Sequence, residues 1–274
     1  MIDLHSHTTA SDGQHTPAEL LSFAQAAGVT TLAVTDHDTV ANIEACTREA
    51  TGRGMRLVPG IEVSIIMNRR EVHILGHFVD PSEVRLAKFG EHLKVQREQR
   101  MEQMVEKIRK LGFPVTMQHV TDLAGPNAHL ARPHLARVLL EMNYVGSTKE
   151  AFDRFLGDGR PAAVSRFEVT LPEAIALIHG AGGTATCAHP GVSKIQENEI
   201  AQMQKAGLDG IEAIHSDHPP TSRERFLQWG KSYDLVPTAG SDFHGEIVAP
   251  NRHLGSASMV PADFARLEAR RPRA

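Results

Sequence analysis

Residues 16–38 read Thr-Pro-Ala-Glu-Leu-Leu-Ser-Phe-Ala-Gln-Ala-Ala-Gly-Val-Thr-Thr-Leu-Ala-Val-Thr-Asp-His-Asp, and two signals in this stretch decide the fold class. Thr16 and Glu19 have the spacing of a capping box, with Pro17 at the first helical position and Gly28 as a natural stop. The apolar run Thr31–Val34 then breaks off at a polar knot, Thr35-Asp36-His37-Asp38. Short apolar runs bounded in this way are typical of parallel strands buried on both faces. The stretch therefore reads as helix, buried strand and polar loop.

Working outward, Thr170 with Glu173 and Thr221 with Glu224 repeat the start signal before helices over Leu171–Ala181 and Ser222–Tyr233. Further strands are predicted at Ile2–Leu4, Leu57–Val58, Thr184–Ala188, Gly210–Ala213 and Val236–Ala239. Glu62–Ile66 and Glu71–His77, separated by Met67-Asn68-Arg69-Arg70, form a hairpin pattern. This alternation predicts an α/β chain whose strands close a barrel or line up in an open parallel sheet. The middle departs from the rhythm, with a charged helix-periodic segment from Ser82 to Leu111 and helical pieces near Thr116–Leu123, Pro133–Met142 and Thr148–Leu156. The expected organisation is a barrel over residues 1–84 and 166–274, interrupted by a small helical insertion over 85–165 that contributes to substrate binding. The coiled-coil-like opening of the insertion is also compatible with a dimer contact, and oligomeric state stays open. Arg266–Arg273 reads as a solvated terminus.

A length of 274 residues suits one barrel of about 250 residues with an insertion. With 41% hydrophobic and 23% charged residues the chain can bury a sizeable core, which excludes a disordered protein. Met1-Ile2-Asp3-Leu4-His5 lacks the basic and apolar regions of a signal peptide, and no apolar stretch nears the roughly 20 residues of a membrane span. A cytoplasmic protein with no membrane partner is expected. Cys46 and Cys187 lie in no Cys-x-x-Cys pattern and read as core residues. The formal net charge of −4 argues against wrapping long nucleic acid, but not against phosphate substrates. Two or three bound divalent cations would add about +4 to +6 within a cleft.

The 16 histidines are the compositional oddity, and many follow apolar runs. Four knots stand out: Asp3-Leu4-His5-Ser6-His7 followed by Ser11-Asp12-Gly13, Thr35-Asp36-His37-Asp38, Ala188-His189-Pro190, and Gly240-Ser241-Asp242-Phe243-His244. Glu62 and His73 add two further candidates. His5 and His7, two apart in extended backbone, point to one side and can share a cation. Catalytic groups of barrel enzymes come from the C-terminal ends of several strands, and these segments obey that placement. Asp36 and Asp38 read as supporting or helix-capping groups. His15, His77, His92, His119, His129, His179 and His253 have no motif context and read as surface or core residues.

The set His5-x-His7, Asp12, Thr35-Asp36-His37, Glu62, His73, Ala188-His189-Pro190 and Gly240-Ser241-Asp242-Phe243-His244 resembles the four motifs of the PHP (polymerase and histidinol phosphatase) family. Arg132-Pro133-His134, Ala151-Phe152-x-x-Phe155-Leu156-Gly157-x-Gly159 and Ile211-Glu212-Ala213-x-His215-Ser216-Asp217-His218 are similar to a subfamily of bacterial 3′,5′-nucleotide bisphosphate phosphatases. Some relatives in that subfamily are 5′-to-3′ exoribonucleases on short RNA. The resemblance implies a distorted (β/α)7 TIM-like barrel holding two or three divalent metals. His5, His7, Glu62 and Asp242 would hold the first. Glu62 would bridge to a second completed by His73 and His189, while Asp12, His37 and His244 would hold a third. Imidazole and carboxylate donors without thiolate suit Mn, Fe or Zn, with Mn favoured.

Such cations would acidify a water and make it the nucleophile toward phosphorus, so no Ser or Cys nucleophile is required. His218 and His215 are candidates for protonating the leaving group. A bisphosphate needs a second anion pocket, for which Arg132, His134 and Arg166 are candidates because guanidinium binds phosphate bidentately. The expected activity is removal of the 3′-phosphate from nucleoside 3′,5′-bisphosphates, with trimming of short RNA or DNA oligonucleotides. The alternatives are a histidinol-phosphate phosphatase and a non-catalytic PHP scaffold.

Overall fold

In a computed structural model of the chain, residues 1–125, 130–164 and 169–272 are described. The apolar runs form strands β1 (Ile2–Asp3), β2 (Thr31–Val34), β3 (Arg56–Met67), β4 (Arg70–His77), β5 (Thr184–Cys187), β6 (Gly210–His215) and β7 (Val236–Gly240), which lie side by side in chain order. Pairing is parallel except around β4, which is antiparallel to both β3 and β5. Leu4 N donates to Ala239 O at 3.0 Å and His7 N to Phe243 O at 3.0 Å, joining the β1 end of the sheet to the β7 end. The result is a nearly closed, distorted TIM-like barrel, and the reversed β4 is its distortion.

The expected hairpin forms, but β3 is one strand where the sequence suggested two. Pro59 still pairs with Val34 of β2, and from Gly60 onward β3 pairs with β4 instead. Pro59-Gly60 thus marks a change of partner, not a break. A Cβ on Gly60 would stand 2.6 Å from Thr35 Cγ2 and 2.9 Å from Gly76 O, so three strands converge there only around a glycine.

Helices α1 (Pro17–Ala26) and α7 (Leu171–Gly180) start at the expected capping boxes. Thr16 N and Oγ1 donate to Glu19 Oε2 at 2.9 and 2.8 Å, and Thr170 does the same with Glu173 at 2.8 and 2.6 Å. The box expected at Thr221 and Glu224 is absent. Helix α9 (Pro220–Ser232) begins two residues earlier behind Pro219, because two consecutive prolines fix the backbone before the threonine is reached. Three helices lacked a clear sequence signal: α2 (Ile43–Gly52), α8 (Glu197–Lys205) and α10 (Pro261–Ala269). The Arg-rich tail is correspondingly not just solvated. Arg270 pairs with Asp234 at 2.9 Å and Arg271 lies over the Phe78 ring.

The long helix α3 (Val84–Lys110) serves two cores. Leu86 and Leu93 pack with Ile65, Ile74 and Ile178 against the barrel. Met101, Met104, Val105 and Ile108 join a separate cluster with residues of α4 (Met117–Ala124), α5 (Arg132–Glu141), α6 (Thr148–Ala151) and the π-turn Phe152–Leu156 that continues it. The buried part of the apolar stripe is therefore spent within the chain, while Val84 and Val95 of the same helix stay exposed. Among the described residues no helix is long and apolar enough to cross a membrane.

Candidate metal centre

The strand ends deliver the predicted residues to one place. His5 and His7 follow β1, His37 follows β2, Glu62 and His73 sit on the hairpin strands, His189 follows β5, and Asp242 and His244 follow β7. Two of these residues have backbones that L residues rarely adopt, with φ of 23° at His189 and 54° at Asp242. Strain of this kind persists where the surrounding structure enforces it, and here it turns both side chains into the cluster.

His5 Nε2 and His7 Nε2 each stand 3.2 Å from Glu62 Oε2 and 3.2 Å from Asp242 Oδ1. The other Glu62 oxygen, Oε1, faces His73 Nδ1 at 2.8 Å and His189 Nε2 at 3.0 Å. Asp12 Oδ1 lies 3.3 Å from His244 Nε2 and 3.9 Å from His37 Nε2. Nine residues that the sequence scatters over 240 positions thus meet, three of them the carboxylates Glu62, Asp242 and Asp12. His37 Nδ1 also approaches Glu62 Oε2 at 3.2 Å, so His37 faces both Asp12 and Glu62.

These atoms fit cations better than they fit each other. His7 Nε2, Asp12 Oδ1, His37 Nδ1 and Asp242 Oδ1 are buried, and their short contacts lack hydrogen-bond geometry. Unpaired buried polar atoms are costly, and four pointing inward at one site call for a shared partner. Ligand atoms about 2.1 Å from one ion stand roughly 3.0–3.4 Å apart in octahedral or tetrahedral arrangements, which is the spacing of His5, His7, Glu62 and Asp242. Charge agrees. Burial alone would lower the histidines, but the close carboxylates of Asp242 and Glu62 push His7 up to about 9. Against the same effect of burial, the charge of Glu62 pushes His73 up to about 10. A divalent ion would supply the positive charge that those protons represent.

A surrounding layer holds these side chains in place. Glu212, fully buried, accepts from His5 Nδ1 at 3.0 Å and from the His189 backbone N–H at 2.7 Å, fixing the face that His5 presents inward. Asp36 turns away from the cluster and accepts from Thr8 N, Thr8 Oγ1 and Ser11 Oγ, all at 2.7 Å, which shapes the loop that carries Asp12. Arg252 pairs with Asp242 Oδ2 and with Asp217 at 2.7 Å. Of this layer only Asp36 was weighed from sequence. Glu212 lay inside a quoted motif on a strand, where its inward direction was a usable signal. Arg252 sits in a loop and gave none.

The leaving-group role expected for His215 and His218 is not what their contacts support. His215 accepts from Asp217 N at Nδ1, 3.0 Å, and faces Asp242 Oδ2 with Nε2, 3.3 Å. His218 accepts from Gly191 N at Nε2, 3.1 Å, and donates from Nδ1 to Ala213 O, 3.2 Å. Burial holds His218 neutral by lowering it to about 4. With both ring nitrogens engaged, the two histidines orient Asp242 and the His189-Pro190-Gly191 turn.

A cleft of about 460 Å³ opens at the cluster, lined by Asp12, His37, His73 and His189 together with Arg97, Arg132 and Phe152. Arg132 is placed at the rim, bonded to Asp158 at 2.7 Å and to Glu71 at 3.2 Å. Glu71 in turn accepts from His73 Nε2 at 2.8 Å, so Arg132 is wired to the histidine–carboxylate cluster. His134 is buried, and its Nδ1 accepts from Ala131 N at 3.0 Å to close the start of α5; that nitrogen is not available to an anion. Arg166 lies outside the described residues.

Comparison with known proteins agrees with this geometry. The sequence profile of the PHP domain matches residues 3–106. A 5′-3′ exoribonuclease of Haemophilus influenzae is 35% identical over 246 residues, which cover 88% of this chain and 89% of the relative. A 3′,5′-nucleoside bisphosphate phosphatase of Chromobacterium violaceum is 33% identical, over 89% of this chain and 87% of the relative. The crystal structure of a provisionally assigned metal-dependent phosphoesterase from Bifidobacterium adolescentis superposes with a TM-score of 0.91 at 29% identity, over 99% of this chain and 96% of that one. Shared architecture, relatives across nearly the whole length and a convergent histidine–carboxylate centre lead to one conclusion: the chain belongs to the PHP domain family and is a metal-dependent phosphoesterase.

Proposed function

We propose that the enzyme removes the 3′-phosphate of nucleoside 3′,5′-bisphosphates, adenosine 3′,5′-bisphosphate among them, and trims short oligonucleotides. The observation that carries this reading is the pairing of two anion-seeking features in one cleft. Asp12, His37, His73 and His189 line it together with the Arg132 side chain. A substrate with two phosphates can engage both. The names of the two sequence relatives supply the substrate class.

Two or three divalent ions, best suited to Mn by the mixed nitrogen and oxygen donors, would acidify water and neutralise the phosphoryl oxygens. His5, His7, Glu62 and Asp242 would hold the first, Glu62, His73 and His189 the second, and Asp12, His37 and His244 the third. Glu212 keeps the Nε2 of His5 directed at the cluster. Arg132 would exchange its contact with the exposed Asp158 carboxylate for a phosphate, a trade between two anions that costs little at a solvated rim. Phe152, beside Arg132 in the cleft wall, offers an aromatic surface for the nucleoside. The two thiols, Cys46 and Cys187, are buried and free, as suits a cytoplasmic protein.

The test is phosphate release from adenosine 3′,5′-bisphosphate, short oligonucleotides and histidinol phosphate, each with Mn and after chelation. Release from the first two, lost on chelation, is expected. Preference for histidinol phosphate would transfer the assignment to that alternative, and inactivity on all three would favour a scaffold.

A further inference from the structure

A pocket of about 330 Å³ adjoins the cleft at Asp12 and Pro133, which line both. Arg132 does not line it, whereas Asp12 and His244 of the cluster do, so it opens where the histidines and carboxylates converge. Pro133 and the segment Val248-Ala249-Pro250 give it apolar walls. That segment is held to the loop carrying Asp12: Gln14 N donates to His244 O at 2.8 Å and Ile247 N to Gln14 Oε1 at 3.1 Å. Its one arginine among the described residues, Arg252, already bonds Asp242 and, at 2.7 Å, Asp217. Asp12 and Asp217 add negative charge to the lining, so away from the cluster the pocket suits a neutral group and not a phosphate. Asn251 is exposed, has no side-chain hydrogen bond among the described residues, and brings an amide that can donate and accept. Small-molecule sites span roughly 300–1,000 Å³, and this pocket at their low end has room for one nucleoside.

We propose that this pocket takes the nucleoside on the 3′ side of the scissile phosphate when the substrate is an oligonucleotide. A terminal 3′-phosphate and an internal phosphodiester differ at one oxygen, which in the diester carries the C5′ of the next nucleoside. With the substrate's 5′-phosphate at Arg132 and its scissile phosphate at the cluster, that nucleoside leaves the cleft from the cluster end, where the pocket opens. The chemistry is the same for both substrates: a water oxygen bonds to phosphorus, the P–O3′ bond breaks, and a proton from the water ends on O3′. The shortened oligonucleotide then begins with a 5′-phosphate, the group that a guanidinium at Arg132 would bind in the next round. A mononucleoside bisphosphate has nothing to place in the pocket. The pocket therefore separates two substrate classes, adding affinity for a second nucleoside and leaving bisphosphate hydrolysis alone. This inference rests on the proposed binding of nucleotides in the cleft.

The test uses the whole chain and the double variant Ala249→Leu/Asn251→Ala, which fills the pocket from its apolar wall and removes the amide; both residues lie outside the cluster and the layer that supports it. With Mn-loaded enzyme, kcat/KM for adenosine 3′,5′-bisphosphate should stay within about twofold, which also reports an intact fold, and for 5′-phosphorylated diadenylate it should fall about tenfold. Equal losses on both substrates, or no loss on diadenylate, would overturn the proposal. A second arm uses analogues in which a methylene replaces the bridging O3′, so that Mn-loaded protein binds without cleaving. One is the dinucleotide; the other carries a methyl group in place of the second nucleoside, at equal charge. Calorimetry should give the wild-type protein at least about fivefold higher affinity for the dinucleotide analogue, an advantage that the double variant loses. That result supports the pocket even if the wild-type protein hydrolyses neither substrate, in which case only the proposed activity fails. Equal wild-type affinity for the two analogues, or an advantage that persists in the variant, overturns the pocket whatever the activity.

Discussion

Glu62 divides its two oxygens between different sets of histidines, and its own ionisation follows from them. Burial would raise its carboxyl, yet the charges of His37, His73 and His5 hold it well below the usual range. Such a carboxylate stays ionised across the working pH range and can join two cations. Around it, the supporting residues should matter nearly as much as the direct donors. Glu212→Gln leaves the fold intact but weakens the acceptor that sets the His5 tautomer. Metal affinity, measured by titration of the chelated protein, should drop about 10- to 100-fold, with activity partly restored by excess Mn. At the other end of the cleft, Arg132→Ala should raise KM for adenosine 3′,5′-bisphosphate by at least about tenfold and leave hydrolysis of a simple phosphate monoester within about twofold. Equal losses on both substrates would remove Arg132 from the second-phosphate role.

At the scale of elements, the site depends on strands brought closer than side chains normally allow. Gly240, the last residue of β7, would place a Cβ 2.2 Å from His5 Cβ and 2.7 Å from Glu212 Oε1. Neither neighbour can yield, since both are buried beneath the cluster. Gly240→Ala should cost about 1–3 kcal/mol and lower Tm by roughly 5 °C, with weaker metal binding as a signature that a remote packing defect would not give. Helix α3 is fastened to the barrel by an ion pair between Arg97 and Asp38 in which the Asp38 side chain is only 1% exposed. Removing one partner strands a buried charge, so Arg97→Ala should cost about 3–5 kcal/mol, read as a Tm loss of roughly 10 °C in the metal-free protein. From sequence, Arg97 was one charge among many on a long polar helix, and nothing distinguished it from a solvated one. Glu71 on the hairpin was equally silent. Their roles come from the contact between α3, α5 and the β3–β4 hairpin, elements far apart along the chain.

For the whole molecule, metal and protons compete for the same atoms, and this fixes the sign of the pH dependence. His7 and His73 are raised to about 9 and about 10 in the folded protein. Their contribution to the stability of metal-free protein is complete below the unfolded value near 6.5 and is lost as pH climbs through 9 to 10. His37, which burial lowers to about 3, acts oppositely, but only below about 6.5. Cations require the deprotonated rings, so their binding strengthens over the interval where the metal-free protein weakens. The difference in Tm between Mn-loaded and chelated protein should therefore widen from pH 6.5 to pH 9. A gap that narrows over this range would contradict the placement of His7 and His73 at the metals. Near pH 7.5, Mn at about 100 times its Kd should add about 2.7 kcal/mol, a rise of several degrees.

What the sequence determined by itself was periodic or local. Apolar runs ended by polar knots identified the strands, Thr-Pro-x-Glu and Thr-x-Pro-Glu boxes started α1 and α7, and the polar knots contained seven of the nine residues of the cluster, while Glu62 and His73 lie on the hairpin strands themselves. What only the tertiary structure decided was which oxygen of Glu62 faces which histidine, that Glu212, Arg252 and Arg97 hold the site, and that His215 and His218 brace it. Those features depend on distances between elements, and a linear pattern carries no distance until the barrel closes and β7 meets β1.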